Sequence, residues 1–400
     1  VLIAELQKIH ALETFKGKKE YTEAFQHWAK LAEDELTELR QKAKRLQPIS
    51  PNPYSKGKAL SPKEYDVFLG REDLKDSISL KILTSKSMPM FLIQGQRRVG
   101  KTSLLKFLPQ MLDPSRFKVV YQDMQDKGVN RDVISWLQDL RYRFNHKLGI
   151  KEKEAWEPPE DWIDAWHELS LFFKEVSENL TYKVILAIDE YEELHRILQK
   201  DPEKGSDLLA TMRSYSQHQD KIAFMFIGAA FFYELSGPTW AKYFVQAERF
   251  HVDYLIEQDS MQLITAPTAA FKLKYESGLP EHMYQITQGH PHLLQAICSE
   301  LVDLANREVR GMVTFDDLHL VLNEKILNRD TQPFSVFWIE FCEKPEMKQT
   351  VLDICNGKTP EHQPSFRRIL EHAYVIKNNG AYQMRVPLFA EWVRKFGYVE

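Results

Sequence analysis

Apolar positions change their period several times along the chain, and each change marks an element. In residues 1–47, Phe25, Ala32, Leu39 and Leu46 recur at every seventh position, with Tyr21, Trp28, Leu36 and Ala43 at spacings of three and four from their neighbours. That period predicts helix: either a hairpin packed on the main body, or a coiled coil joining it to another module. Residues 48–62, PISPNPYSKGKALSP, break the pattern with four prolines and a glycine and read as an extended linker. YDVFLGREDL follows, a turn over 68–72 that leads into a helix reaching about Thr84. Beyond it, short apolar runs alternate with helical stretches. Strands are expected from Met90, over 117–121, 183–189, 222–228 and 250–254, and helices after Gly100 and over 131–147, 159–179 and 206–218. Strands alternating with helices predict a mostly parallel, doubly wound sheet. Residues 255–323 are largely helical, with a long amphipathic helix opening at Gly289-His290-Pro291. Residues 331–398 hold short helices and then two apolar strands around Asn378-Asn379-Gly380, a strong hairpin turn. Helices followed by a hairpin predict a winged helix. The expected domains are therefore a helical lead-in (1–47), an α/β core (48–254), a helical lid (255–330) and a winged helix (331–400).

Composition narrows this only a little. The 400 residues suit two or three domains, and the formal charge of −4 gives no basic field to attract nucleic acid. Residues 333–400 carry nine Lys/Arg against eight Asp/Glu, too balanced for an ordinary DNA-reading wing. The three cysteines, Cys298, Cys342 and Cys355, lie far apart without a C-x-x-C. That spacing argues against a zinc site and fits a reducing, cytoplasmic setting. The longest apolar run, 222–233, has twelve residues and is too short for a bilayer. No signal peptide is visible, and a chain that starts at Val1 is expected to be a fragment.

Two stretches carry chemistry. MFLIQGQRRVGKTSLL, 90–105, contains G-x-x-x-x-G-K-[ST] between a strand and a helix. Gly95 and Gly100 let Gln96, Arg97, Arg98 and Val99 curl so that backbone N–H groups converge on phosphate oxygens. The helix starting at Lys101, Thr102 and Ser103 points its positive end at the same place. Lys101 would reach the β- and γ-phosphates, and the Thr102 hydroxyl would ligate Mg²⁺. The alternative, a Gly-Lys surface turn, does not account for the flanking strand and helix. KVILAIDE, 183–190, is a buried strand ending in two acids. Asp189 would serve Mg²⁺, and Glu190 would orient and deprotonate the attacking water. Tyr191, Glu192 and Glu193 read as a solvated helix start. Arg71, beside the Gly70 turn, is by itself more often a capping ion pair than a phosphate ligand. Gly289-His290-Pro291 is by itself good helix-start chemistry. His290 and His292 lack Asp or Cys partners nearby and are not expected to be ligands.

The combination of NPYSKGKAL, VFLGRE, GQRRVGKTSLL, VILAIDEYE and FMFIGAA resembles the STAND class of signal-transducing, AAA+-related ATPases, closest to the prokaryotic archaeal-ATPase-like or novel STAND group. The resemblance runs from about Asn52 to the end of the chain. It implies a core of the catalytic-glutamate subclass of P-loop proteins, an ADP/ATP site using Mg²⁺, a lid and a winged helix that closes over the nucleotide. It places Phe68 and Arg71 of the G-R-E turn at the nucleotide and Pro291 near the base, coupling nucleotide state to the lid. Arg385 falls roughly where some relatives hold a phosphate-sensing residue. One departure matters: the fourth strand ends Gly228-Ala229-Ala230, with no polar side chain to sense a γ-phosphate. Slow hydrolysis, or a substitute sensor elsewhere, is the consequence. The resemblance implies a slowly hydrolysing switch that assembles into homo-oligomers, with effector and sensor domains outside this chain and a place in prokaryotic signalling or defence. The rival expectations are a DNA-loading ATPase of the origin-recognition kind and a non-catalytic scaffold stabilised by nucleotide.

Overall fold

The computed structural model describes residues 27, 28, 30–38, 48–152, 154–231, 234, 235, 239–331 and 333–398. Residues 30–38 are helical, with Leu31 and Leu36 exposed. Trp28 is likewise helical and exposed, and Tyr21, Phe25, Leu39, Ala43 and Leu46 of the expected heptad pattern lie outside the described residues.

Residues 48–61 form neither helix nor strand, in keeping with their prolines, and bend at 49–50 and 56–58. They form a strap rather than a free linker: Ser50, Tyr54 and Leu60 are buried, and the Asn52 amide donates to Ser299 O at 3.1 Å and Asp303 Oδ1 at 2.7 Å. A 3₁₀ turn, Pro62–Val67, leads to α1 (Glu72–Thr84). Then come β1 (Met90–Gln94), α2 (Lys101–Met111), β2 (Phe117–Asp123), α3 (Val133–Leu148), α4 (Trp162–Glu178) and β3 (Lys183–Asp189). They are followed by α5 (Tyr191–Leu198), α6 (Pro202–Gln217), β4 (Ile222–Gly228), α7 (Thr239–Tyr243) and β5 (Glu248–His251). Local chemistry sets several of these boundaries. Asp132 and Asp161 cap α3 and α4 by accepting first-turn N–H groups, and α3 ends at Gly149 in the left-handed region.

The five strands are all parallel, in the order β2-β3-β4-β1-β5. β4 thus separates the phosphate-loop strand from the acidic strand, the order of P-loop proteins that carry a catalytic glutamate. Successive residues point to opposite faces. Phe91, Ile93, Ile185, Ala187, Met225 and Ile227 pack with α1 and α2 on one face. Leu92, Leu186, Ile188, Phe224 and Phe226 pack with α3, α4 and α6 on the other. Burial on both faces explains why these strands read as continuous apolar runs.

The first of these two cores continues without a break into the rest of the chain. α8 (Glu257–Thr265), β6 (Lys274–Tyr275), α9 (Leu279–Thr287), α10 (Pro291–Arg307), β7 (Met312–Val313) and α11 (Phe315–Val321) form a helical layer. β6 and β7, a short parallel pair, are not evident in the apolar pattern because each has only two residues. A single π-turn, Leu322–Ile326, ends the layer. The C-terminal segment then runs through α12 (Phe334–Val336), a second π-turn (Phe337–Phe341), α13 (Pro345–Cys355) and α14 (Gln363–Glu371). It ends with the antiparallel pair β8 (Val375–Asn378) and β9 (Ala381–Met384), then α15 (Pro387–Phe396). Asn379 and Gly380 both have positive φ, the backbone that a two-residue turn of this hairpin requires. Among the described residues no helix is long and apolar enough to cross a membrane.

Candidate nucleotide site

The loop between β1 and α2 closes over Gly100, whose φ of 95° only glycine adopts at low cost. Arg98 holds a φ of 68° and donates from Nη1 to Gly57 O of the strap at 2.8 Å. Lys101 is buried, 6 % exposed, and its ammonium donates to Gly95 O at 3.0 Å and Gln96 O at 2.8 Å. Burial lowers its pKa, since the charged form loses hydration. A buried cation resting on the loop's own carbonyls can transfer to an anion entering the loop. Leu60 N donates to Ser103 Oγ at 3.1 Å, which ties the strap to the start of α2.

β3 delivers Asp189 at its C-terminal end, 1 % exposed. Its Oδ2 accepts from Thr102 Oγ1 at 2.9 Å and from Tyr121 Oη at 3.3 Å. A buried carboxylate beside a hydroxyl at a phosphate loop is a hard-oxygen donor set that fits Mg²⁺. Glu190 follows in the left-handed region, φ 55° and ψ 55°, a conformation that costs a non-glycine residue strain. Burial first, then the neighbouring Glu192 carboxylate, pushes the Glu190 carboxyl up to about 7. A carboxyl poised there is suited to exchange a proton with water near neutral pH.

A cavity of about 380 Å³ lies over this loop. Phe68, Arg71, Arg97, Arg98, Val99, Gly100, Lys101, Thr102, Ser103, Glu190 and Pro291 all line it, so most of the residues singled out from sequence meet in one place. Phe68 stacks on Phe107, with ring centroids 4.3 Å apart. Arg71 is buried and braces the loop, donating to Val99 O at 3.2 Å and Asp253 O at 2.9 Å; burial lowers its pKa. Pro291 opens α10 at the cavity wall beside His292 and Gln295. His290 is buried with its pKa pushed down to about 3 by that burial, and its ring faces Tyr254 rather than the cavity.

Two expectations need correction. Arg385 does not line the cavity. Its guanidinium forks onto Asp253, at 2.6 and 3.1 Å, and lies 4.0 Å over the Tyr254 ring. It fastens the C-terminal segment to the end of β5. Residues 191–193 do start a helix, and Glu193 stays partly exposed beside Arg196, but Tyr191 and Glu192 turn inward. Tyr191 is fully buried because α5 packs against β4. Glu192 reaches across to the end of β4, where its Oε1 accepts from Ala229 N at 2.5 Å and Ala230 N at 2.6 Å. A Cβ on Gly228 would lie 2.4 Å from Glu192 Oε2, so the glycine makes room for that carboxylate. The end of β4 thus acquires a polar group from the neighbouring helix.

Several contacts had no periodic or motif signal, because they join residues far apart in the chain. Gln96 in the phosphate loop donates to His372 O at 2.7 Å and accepts from Tyr254 Oη at 2.5 Å. Arg97 pairs with Glu340 of the second π-turn. Glu234, beyond β4, accepts from Arg368 Nε at 2.6 Å and meets His372 Nε2 at 2.9 Å.

A family model described as Novel STAND NTPase 1 matches residues 53–320. The chain belongs to this family. It is a P-loop NTPase of AAA+-related type, and that fold implies nucleotide binding. Among solved structures, the chain is similar to the Walker-type ATPase PABY2304 of Pyrococcus abyssi, at 14 % identity and a TM-score of 0.58, covering 84 % of this chain and 97 % of that one. It is also similar to the ORC2 protein of Aeropyrum pernix, at 11 % identity and a TM-score of 0.50, covering 86 % and 97 %. At these identities the likeness concerns the fold. A search of curated proteins gives no match.

Proposed function

We propose that this STAND-family chain is an ATP-binding switch that hydrolyses ATP slowly, and that its ADP or ATP state sets how the C-terminal segment docks. The observation that carries the proposal is the direct bonding of the phosphate loop to that segment, by Gln96 to His372 O and by Arg97 to Glu340. Arg97 and Glu340 line the cavity, so a ligand there meets one of the two contacts that hold the segment. In this reading residues 48–254 are the core, 255–330 a lid and 331–400 a winged helix that serves as a packing module.

The roles follow from position. Lys101 gives up its two carbonyl partners for phosphate oxygens. Thr102 and Asp189 would hold Mg²⁺, which when bound neutralises phosphate charge. Glu190, at the strained end of β3, takes the proton of the attacking water. Phe68 and Pro291 shape the base end, and Arg71 keeps the loop in shape from behind. Assembly into a homo-oligomer in the ATP state, and coupling to effector and sensor domains elsewhere, are part of the same proposal.

The test uses two variants. Lys101→Ala should abolish measurable binding of ATP and ADP by calorimetry, because one ammonium answers much of the phosphate charge in a partly dehydrated loop. Glu190→Gln should keep nucleotide bound while hydrolysis falls by roughly 10²–10⁴-fold, the usual contribution of a positioned base. Unchanged ATP affinity in Lys101→Ala would remove the loop from the site, and equal hydrolysis in Glu190→Gln would remove the base.

A further inference from the structure

The Arg97–Glu340 pair stands between two cavities. The larger is the nucleotide cavity; the second, about 120 Å³, lies under the C-terminal segment. Arg97, Val336 and Glu340 line both, so the pair is part of the wall between them. On the far side of that wall are Glu192, the end of β4 and the Glu234–His372 contact. Arg97 is also a residue of the phosphate loop itself and lines the nucleotide cavity together with Lys101, Thr102 and Glu190.

The two partners sit on different supports. Glu340 projects from the π-turn Phe337–Phe341, closed by Cys342 N to Phe337 O at 2.9 Å. The flanking Phe337 and Phe341 each pack 4.6 Å from the Tyr374 ring, which anchors the turn. Arg97 is a long side chain on the phosphate loop, 51 % exposed against 46 % for Glu340. An exposed ion pair of this kind is weakly held. A guanidinium bound to a phosphate can make two parallel charge-assisted hydrogen bonds and is the stronger arrangement.

We propose that Arg97 is the residue that distinguishes ATP from ADP in this chain, leaving Glu340 for the γ-phosphate and returning to Glu340 over ADP. The inference rests on the ATP-switch proposal above and supplies the sensor that the Gly228-Ala229-Ala230 end of β4 lacks. It also gives the switch a direction. With ATP bound, Glu340 is left beside the γ-phosphate without its counter-charge, and like-charge repulsion loosens the C-terminal segment at that point. With ADP bound, the pair persists and the segment stays docked.

Glu340 therefore competes with ATP but not with ADP, and calorimetry with ADP and with the β,γ-imido analogue of ATP reads this directly. Glu340→Gln should strengthen binding of the analogue by about 3–5-fold, the range of an exposed pair, and leave ADP within about two-fold. Arg97→Gln should weaken the analogue by roughly 10-fold or more, as expected for a lost charge-assisted phosphate contact, again with ADP little changed. In the Arg97→Gln background, Glu340→Gln should add less than it does in wild type, because only the repulsion of the γ-phosphate is left to relieve. Arg97→Lys keeps the charge without the fork, should melt as wild type does, and should fall between wild type and Arg97→Gln. Variants that shift both nucleotides equally, or neither, would overturn Arg97 as the discriminator while leaving the nucleotide site standing. Wild-type protein that binds neither nucleotide would overturn the site itself, and this inference with it.

Discussion

Glu192 shows what a single side chain can settle at the end of a strand. Its Oε1 accepts two consecutive N–H groups beyond β4, and its Oε2 is buried without a hydrogen-bond partner among the described residues. An unpaired buried carboxylate oxygen is costly, so the placement is held by the surrounding packing. Gly228 is the permissive element: a Cβ there would also lie 2.6 Å from a Tyr191 ring carbon. Gly228→Ala should therefore destabilise the protein by about 1–3 kcal/mol, the usual cost of overpacking, seen as a lower urea midpoint. An unchanged midpoint would mean that Glu192 does not occupy that space. At this scale the sequence shows what is local. Lys101, Thr102, Asp189 and Glu190 stand out because phosphate chemistry needs those types at fixed spacing on a strand–loop–helix. Glu192 and Glu340 do not, because their roles depend on partners 37 and 243 positions away.

At the scale of elements, continuous apolar runs locate the sheet because both its faces are buried, and Asn379-Gly380 locates the hairpin because both residues need positive φ. The π-turn at Phe337–Phe341 has no such local signature, yet it is what aims Glu340 at the phosphate loop. Arg385 had a visible signal but a different partner, because Asp253 at the end of β5 is within reach. The docking of α14 on the core offers a pH test. Burial would raise the Glu234 carboxyl, but His372, the Phe231 N–H and Arg368 together bring it from 4.5 down to about 2. A carboxyl whose folded pKa is depressed contributes stability that is whole above the unfolded value and is lost as pH falls toward the folded one. Glu234→Gln should thus lower the urea midpoint by an amount worth on the order of 1–3 kcal/mol at pH 7. The deficit should narrow below about pH 4.5, the unfolded value. A deficit that does not change with pH would point to packing rather than charge.

At the scale of the whole molecule, one of the two apolar cores is shared between the sheet and the C-terminal segment. A single apolar cluster runs from the α2 face of the sheet through the middle helices to the aromatic residues of the C-terminal segment. Among the described residues, the contacts that join the segment to the phosphate loop and the end of β5 include polar ones: Gln96 to His372 O, Arg97 to Glu340 and Arg385 to Asp253. Polar contacts next to a charged ligand are the kind that ligand can rearrange, whereas apolar packing is not. The central claim is that nucleotide state changes this docking. It is tested most directly by small-angle X-ray scattering of the Glu190→Gln protein saturated with ATP and with ADP. The account predicts a larger radius of gyration, or a larger assembly, with ATP than with ADP. Superimposable scattering curves from the two nucleotide-bound forms would contradict it.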